Sequence, residues 1–173
     1  MKKADLVRLG RVLRSQGGEG HLKVRLAERG LPGLDLKRVV LEGPGGFEAH
    51  DVESFALDRN SYFLKLKDVD TLAQADALAG RDVYVPESSF RPLEAGRYYD
   101  FQVIGSRVVT GGGTEVGTVR GVLDAGGQEV LVVARGGQEF YVPFVEAICR
   151  RIDPEKREIV IEPPDGLLDL NEI

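Results

Sequence analysis

The chain has 173 residues, 42% of them hydrophobic and 29% charged, with a formal net charge of -5. That balance is the one expected of a soluble globular protein with one ordinary domain or two small ones, and no stretch approaches the roughly 20 consecutive apolar residues of a membrane helix. A single cysteine, Cys149, excludes an internal disulfide and a thiolate metal cluster. Arg8, Arg11 and Arg14 fall where a signal peptide would need an unbroken apolar core, so a reducing, cytoplasmic setting is expected and no membrane partner.

The charge is unevenly spread. Residues 1–90 hold 14 basic and 14 acidic residues, whereas 91–173 hold 9 and 14. Among the first 25 residues, seven basic ones (Lys2, Lys3, Arg8, Arg11, Arg14, Lys23 and Arg25) face only Asp5 and Glu19. A locally basic edge on an acidic chain suits a limited contact with phosphate, because each neutralised phosphate releases counterions. The same residues also read as a solvated face.

Val7–Leu13 and His21–Leu26 alternate with period two, Leu22, Val24 and Leu26 on one side and His21, Lys23 and Arg25 on the other, which predicts half-buried strands. Ser15–Gly20, with three glycines, reads as the hairpin turn between them; its Gly17-x-x-Gly20 spacing matches the backbone-clamping loop of KH domains only weakly, because no KH-type helix pattern surrounds it. After a connection at Gly30–Gly33 come strands at Lys37–Glu42, Phe47–Phe55 and Ser61–Lys67, with a turn at Gly43–Gly46. In the last strand Tyr62, Leu64 and Leu66 are expected to point inward and Phe63, Lys65 and Lys67 outward.

The period then changes. Leu72, Ala75, Leu78 and Ala79 share one helical face, Thr71-x-x-Gln74 fits a capping box and Gly80 a terminator, so one short helix should lid a barrel end. Arg81–Val85 returns to strand. These elements predict a small β-barrel over 1–88, followed by a Pro-marked linker at 89–96.

Arg97–Gly105 then reads as the first strand of a second unit, in which the neighbouring Tyr98 and Tyr99 must point to opposite faces. Glycine turns at 111–113, 125–128 and 135–138 separate further strands. Asp153–Lys156 is a type I turn between strands at Ala147–Ile152 and Arg157–Glu162. The second unit, 97–163, is thus expected to be all-β with partners close in sequence, and the tail at 164–173 carries leucines that must dock somewhere. The fold class is all-β: two small barrels joined by a short linker, one short helix capping the first.

Gly10-Arg11-Val12, the Gly17–Val24 stretch and the helix closed by Gly80 resemble the N-terminal domain of the bacterial ribosome maturation factor RimM family. Tyr98-Tyr99, Ile104-Gly105, Gly117-x-Val119, Glu129–Val132, Val142-Pro143-Phe144 and Gly166-Leu167-Leu168 are similar to that family's PRC-barrel domain. The chain departs from the family pattern at Gln16, Glu19, His21, Asp100 and Gln102. The resemblance implies a monomeric, non-catalytic factor that assists maturation of the 30S head and processing of 16S rRNA by binding ribosomal protein S-nineteen and nearby rRNA. On that reading Arg11, Arg14, Lys23 and Arg25 are the candidates for rRNA contact, and Tyr98, Tyr99, Gly166, Leu167 and Leu168 for partner binding; the tyrosines could equally brace the joint between domains. The alternative is a PRC-barrel adaptor serving a non-ribosomal complex.

No catalytic residue, cofactor or metal is expected. A phosphate-binding Gly-x-x-x-x-Gly-Lys-Ser/Thr loop is missing, and Gly111-Gly112-Gly113 opens onto a hairpin rather than a helix. His21 and His50 lie in separate strands without a cysteine or a paired-carboxylate spacing around them. Cys149, between Ile148 and Ile152, reads as a small core residue, and Asp51 with Glu53, like Glu155 with Glu158, as surface charge.

Overall fold

A computed structural model describes residues 5–27 and 34–169; the expected connection at Gly30–Gly33 and the tail residue Leu170 lie outside the described residues. The chain divides into two compact units between Pro92 and Leu93.

In the first unit β1 (Leu6–Gln16), β2 (His21–Leu26), β3 (Arg38–Gly43), β4 (Gly46–Asp58), β5 (Ser61–Leu66) and β6 (Asp82–Pro86) close into a barrel in the order β1-β2-β5-β4-β3-β6. Closure gives each strand a neighbour on both sides, the last ladder being short, with Val40 opposite Tyr84 and Leu41 opposite Val83. Its interior is built from the inward residues of every alternating pattern: Leu9, Val12, Leu22, Val24, Leu41, Tyr62, Leu64 and Val83 are all buried. Each such aliphatic side chain contributes about 1.5–3 kcal/mol through removal from water. Two glycines are fixed by close approach. A Cβ at Gly10 would run into the Arg25 carbonyl, and Gly20, at φ +76°, would drive one into the carbonyl of Val69.

The helix α1 (Leu72–Asp76) begins as its spacing requires: the Gln74 N–H donates to Thr71 Oγ1 at 3.2 Å and the Thr71 N–H donates to Gln74 Oε1 at 3.0 Å. Its apolar face is narrower than expected. Ala75 and Leu78 are buried, but Leu72 is 47% exposed and Ala79 lies at the surface. The reason is length: helical geometry stops at Asp76, and the chain unwinds to Gly80, whose N–H donates to the Val12 carbonyl at 2.9 Å. After β6, a 3₁₀ turn at Glu87–Ser89 leads to buried Phe90, which bridges Leu34, so the stretch read as linker starts inside the first unit.

The second unit contains α2 (Asp100–Val103), β7 (Arg107–Thr110), β8 (Glu115–Asp124), β9 (Glu129–Arg135), β10 (Gln138–Pro143), β11 (Cys149–Asp153) and β12 (Glu158–Ile161). The three glycine turns and the Pro154 turn fall at the hairpins where the sequence places them. The strands form one six-stranded sheet in the order β10-β9-β8-β7-β12-β11. All six, with Val103 of α2, send side chains into one core that includes Val119, Leu131, Phe140, Cys149 and Ile159, so the sheet curls about that core. Not every partner is close in sequence: β7 and β12 pair in parallel, Val108 opposite Ile159.

The tyrosine pair is not on a strand. Arg97–Tyr99 is an extended segment outside the sheet, with Tyr99 at φ -73° and ψ 148°, and helix begins at Asp100. Gln102 Oε1 accepts the Tyr99 N–H at 2.9 Å, and the Asp100 carboxylate lies in the first turn, where it favours the exposed amides. Asp100 and Gln102 are thus the residues that start the helical turn. A second helix therefore stands beside the single one expected.

Candidate functional site

The first candidate surface is the outer face of β1, β2 and β5. Buried Leu22 and Val24 force Lys23 and Arg25 outward, and the strand register sets Arg14 opposite Lys23 and Lys23 opposite Phe63. Arg11 stands opposite Arg25, with Ser61 on the next strand. The four arginine and lysine candidates therefore share one face, but they are not equivalent.

Arg11 already has a carboxylate partner, which it shares with Arg8. Its Nε donates to Asp82 Oδ1 at 2.8 Å and its Nη2 to Asp82 Oδ2 at 3.2 Å, while Arg8 Nη2 reaches Oδ1 at 2.8 Å. Hydrogen bonds from Arg11 and then Arg8 hold the Asp82 carboxyl far below the usual carboxylate range. Arg14 and Arg25 are exposed and have no carboxylate partner among the described residues. The Lys23 ammonium lies 5.6 Å from the Phe63 ring centroid, a cation–π distance.

Beside this face sits a group whose environment the alternation pattern does not reveal. Lys65 was expected outward with Lys67, yet its side chain is only 9% exposed. Its Nζ donates to the carbonyls of Leu66 at 3.0 Å and Val69 at 2.6 Å and to Asp70 Oδ1 at 2.9 Å. The hydrogen bond to Asp70 raises its pKa above the ordinary lysine value. The segment after β5 folds back over the strand, so an outward direction here does not mean exposure.

The second candidate surface is in the second unit. Tyr98 is half-buried, its ring 6.2 Å from that of Phe144 and tilted by 38°. It packs on the core of that unit, as does Leu168. Tyr99 is buried and stacked on Phe101, ring centroids 5.2 Å apart and planes 11° apart, and burial pushes its phenol pKa up. Neither tyrosine therefore stands free in solvent. A cavity of about 320 Å³ opens beside Tyr98, with Phe144, Cys149 and Ile152 in its wall and Glu146 and Arg150 as its charged groups. Gly166, at φ +84°, and Leu167, whose N–H donates to the Pro164 carbonyl at 3.1 Å, form the turn that delivers Leu168. The structure thus brings Tyr98 and Leu168 to one core, and Phe144 and Arg150 join the site although sequence reading did not single them out as site residues; Phe144 was visible only as part of Val142-Pro143-Phe144.

The remaining polar candidates stay apart. His50 Nδ1 lies 2.8 Å from Asp68 Oδ2 and its Nε2 4.0 Å from Glu48, whereas His21 is on β2 opposite Lys65. Among the described residues no group of three or more His, Cys, Asp or Glu side chains could hold a metal ion. Asp51 pairs with Arg38 at 3.0 Å and Glu158 with both Arg107 and Arg151 at 2.8 Å, as surface charges do. Cys149 is buried, with its thiol pKa pushed up to about 11 by that burial. No described helix is long and apolar enough to cross a membrane.

A closed barrel with a cationic outer face, joined in one chain to a curled sheet with an aromatic-walled cavity, defines a two-module β protein. The family model described as RimM N-terminal domain matches residues 7–90, and the RimM PRC barrel domain matches residues 100–167. The chain belongs to the RimM family. It is 32% identical to the ribosome maturation factor RimM of Geobacter metallireducens, over 96% of this chain and 97% of that one. It is 36% identical to that of Solibacter usitatus, over 91% and 90%. Among solved structures it is similar to a 16S ribosomal RNA processing protein RimM from Pseudomonas aeruginosa, 25% identical, covering 92% of this chain and 98% of that one with a TM-score of 0.46.

Proposed function

We propose that this protein is a cytoplasmic, non-catalytic ribosome assembly factor that acts as a monomer on the head of the 30S subunit and supports 16S rRNA processing. In this reading the second unit binds ribosomal protein S-nineteen and the first contacts nearby 16S rRNA. The observation that carries it is the Tyr98 cavity: an apolar wall of Tyr98, Phe144 and Ile152 beside the charges of Glu146 and Arg150 can seat an apolar anchor next to a charged one. The excess of acid after residue 90, 14 acidic against 9 basic residues, favours a basic partner. Tyr99, buried on Phe101, and the Gly166-Leu167-Leu168 turn support Tyr98 from behind rather than meeting the partner first.

The test is binding of the full chain to purified S-nineteen by calorimetry, with Tyr98→Ala and Tyr99→Ala compared after thermal melts have checked folding. Loss of affinity of tenfold or more in folded Tyr98→Ala is the expected result. Unchanged affinity in that variant would overturn the assignment of the cavity, and failure of the native chain to co-sediment with immature small subunits at low and at physiological salt would overturn the ribosomal reading.

A further inference from the structure

We infer that the outer face of β1, β2 and β5 takes single-stranded rather than duplex RNA, with Phe63 as the ring on which a base stacks and Arg14, Lys23 and Arg25 as its phosphate contacts. The inference rests on the proposal that the first unit meets rRNA, and it names the form of RNA and the groups that recognise it. The alternation of β5 puts Tyr62 and Leu64 into the barrel and leaves Phe63 half-buried on the outside. An outward aromatic ring whose strand neighbours fill the core has no packing role inside the barrel.

Strand register places Phe63 in one cross-strand row with Arg14 and Lys23, and Lys23 Nζ is 5.6 Å from its ring. Ring and ammonium are close enough for one nucleotide to lay its base on the former and its phosphate on the latter. Arg25 stands one row away along β2, on the same side of the sheet. Stacking platforms flanked by cations bind single strands because every unpaired base offers a π-face, and such stacking is tolerant of sequence. In a duplex those faces are buried in the helical stack, so Phe63 would have nothing to meet. Arg11 is set apart from the other three, since Asp82 takes its guanidinium through two hydrogen bonds.

The test is fluorescence anisotropy of the full chain with a short labelled RNA of mixed sequence, single-stranded in one arm and annealed to its complement in the other, over a salt series. Phe63→Leu should weaken single-strand binding about tenfold and leave duplex binding unchanged, whereas Phe63→Tyr should bind like the native chain. Arg14→Ala and Arg25→Ala should each flatten the salt dependence by about 0.7 in log–log slope, and Arg11→Ala should flatten it less. Melting curves establish that each variant is folded. Native affinity in folded Phe63→Leu, or a preference for the duplex, would overturn the inference. Co-sedimentation with immature small subunits separates it from its parent: loss there with Phe63-dependent RNA binding intact refutes only the ribosomal reading, while co-sedimentation retained with Phe63→Leu binding RNA normally refutes only the stacking site.

Discussion

Replacing Lys65 by methionine, which keeps most of the apolar stem but removes the ammonium, should measurably destabilise the first unit. The carbonyls of Leu66 and Val69 accept from Nζ, and those two residues are 0% and 4% exposed; the Leu66 carbonyl would keep the Val69 N–H as a donor at 3.3 Å, whereas the Val69 carbonyl would lose the donor that Lys65 supplies. A buried unsatisfied carbonyl costs about 1–3 kcal/mol, which sets the expected loss. Asp70 and Glu53, at 72% and 57% side-chain exposure, return to water and add little. For a unit of this size the expected shift is on the order of 5–15 °C in the melting temperature of the first unit, read by circular dichroism. The pH dependence carries a sign as well. Asp70 raises the Lys65 pKa in the fold, so the lysine contribution is whole below the ordinary value near 10.4 and is lost as pH climbs through the higher folded value. The deficit of Lys65→Met should therefore be constant from neutral to mildly alkaline pH and shrink only in strong alkali. A shift below about 2 °C at neutral pH would refute the argument, because it would mean that water replaces the ammonium at the Val69 carbonyl.

Gly20→Ala should lower stability by about 2 kcal/mol or more, since it combines a positive φ with a collision against the Val69 carbonyl; because Lys65 binds that same carbonyl, a double-mutant cycle in urea should show the two changes to be non-additive. Asp82→Asn should cost about 1 kcal/mol at neutral pH, a modest figure because Arg8 and Arg11 are half exposed to screening solvent. The depressed Asp82 pKa makes its contribution complete above the unfolded value near 3.9 and progressively lost in more acidic solution, so urea melts of native and variant should converge as pH falls below about 4. Cys149, buried with its thiol raised to about 11, should resist alkylation at pH 8 in the folded chain and react rapidly once urea unfolds it, as mass spectrometry would show.

What could be read from the sequence was local. The alternation of Leu22 and Val24 with Lys23 and Arg25, the Thr71–Gln74 cap and the glycine turns each encode their structure within a few residues. What could not be read depends on segments far apart in the chain. Nothing near Arg11 announces that Asp82 will pair with it across the β1–β6 ladder. Lys65 matches the outward pattern of β5, and only the fold-back of residues 66–70 buries it. The pairing of β7 with β12 has no counterpart in the period of either strand. The tyrosine pair is a different case, because the signal was present and read wrongly: Tyr98-Tyr99 suits a strand by propensity, but Asp100 and Gln102 are residues that begin a helix. The site was correspondingly half legible, with Tyr98 and the outward cations visible and Phe63, Phe144 and Arg150 emerging only from register and packing.

Both units tie their first strand to their last, and they do so in opposite senses. In the first, antiparallel pairing sets Leu6 beside Pro86, so the places where the chain enters and leaves are neighbours. A short peptide could join them and new ends could be cut at an exposed turn, yielding a rewired chain around the same barrel. In the second, β7 and β12 run side by side in one direction, Arg107 opposite Glu158 at their starts and Thr110 opposite Ile161 at their ends. Entry and exit there lie at opposite ends of the ladder, and the same rewiring would need a crossover long enough to span it.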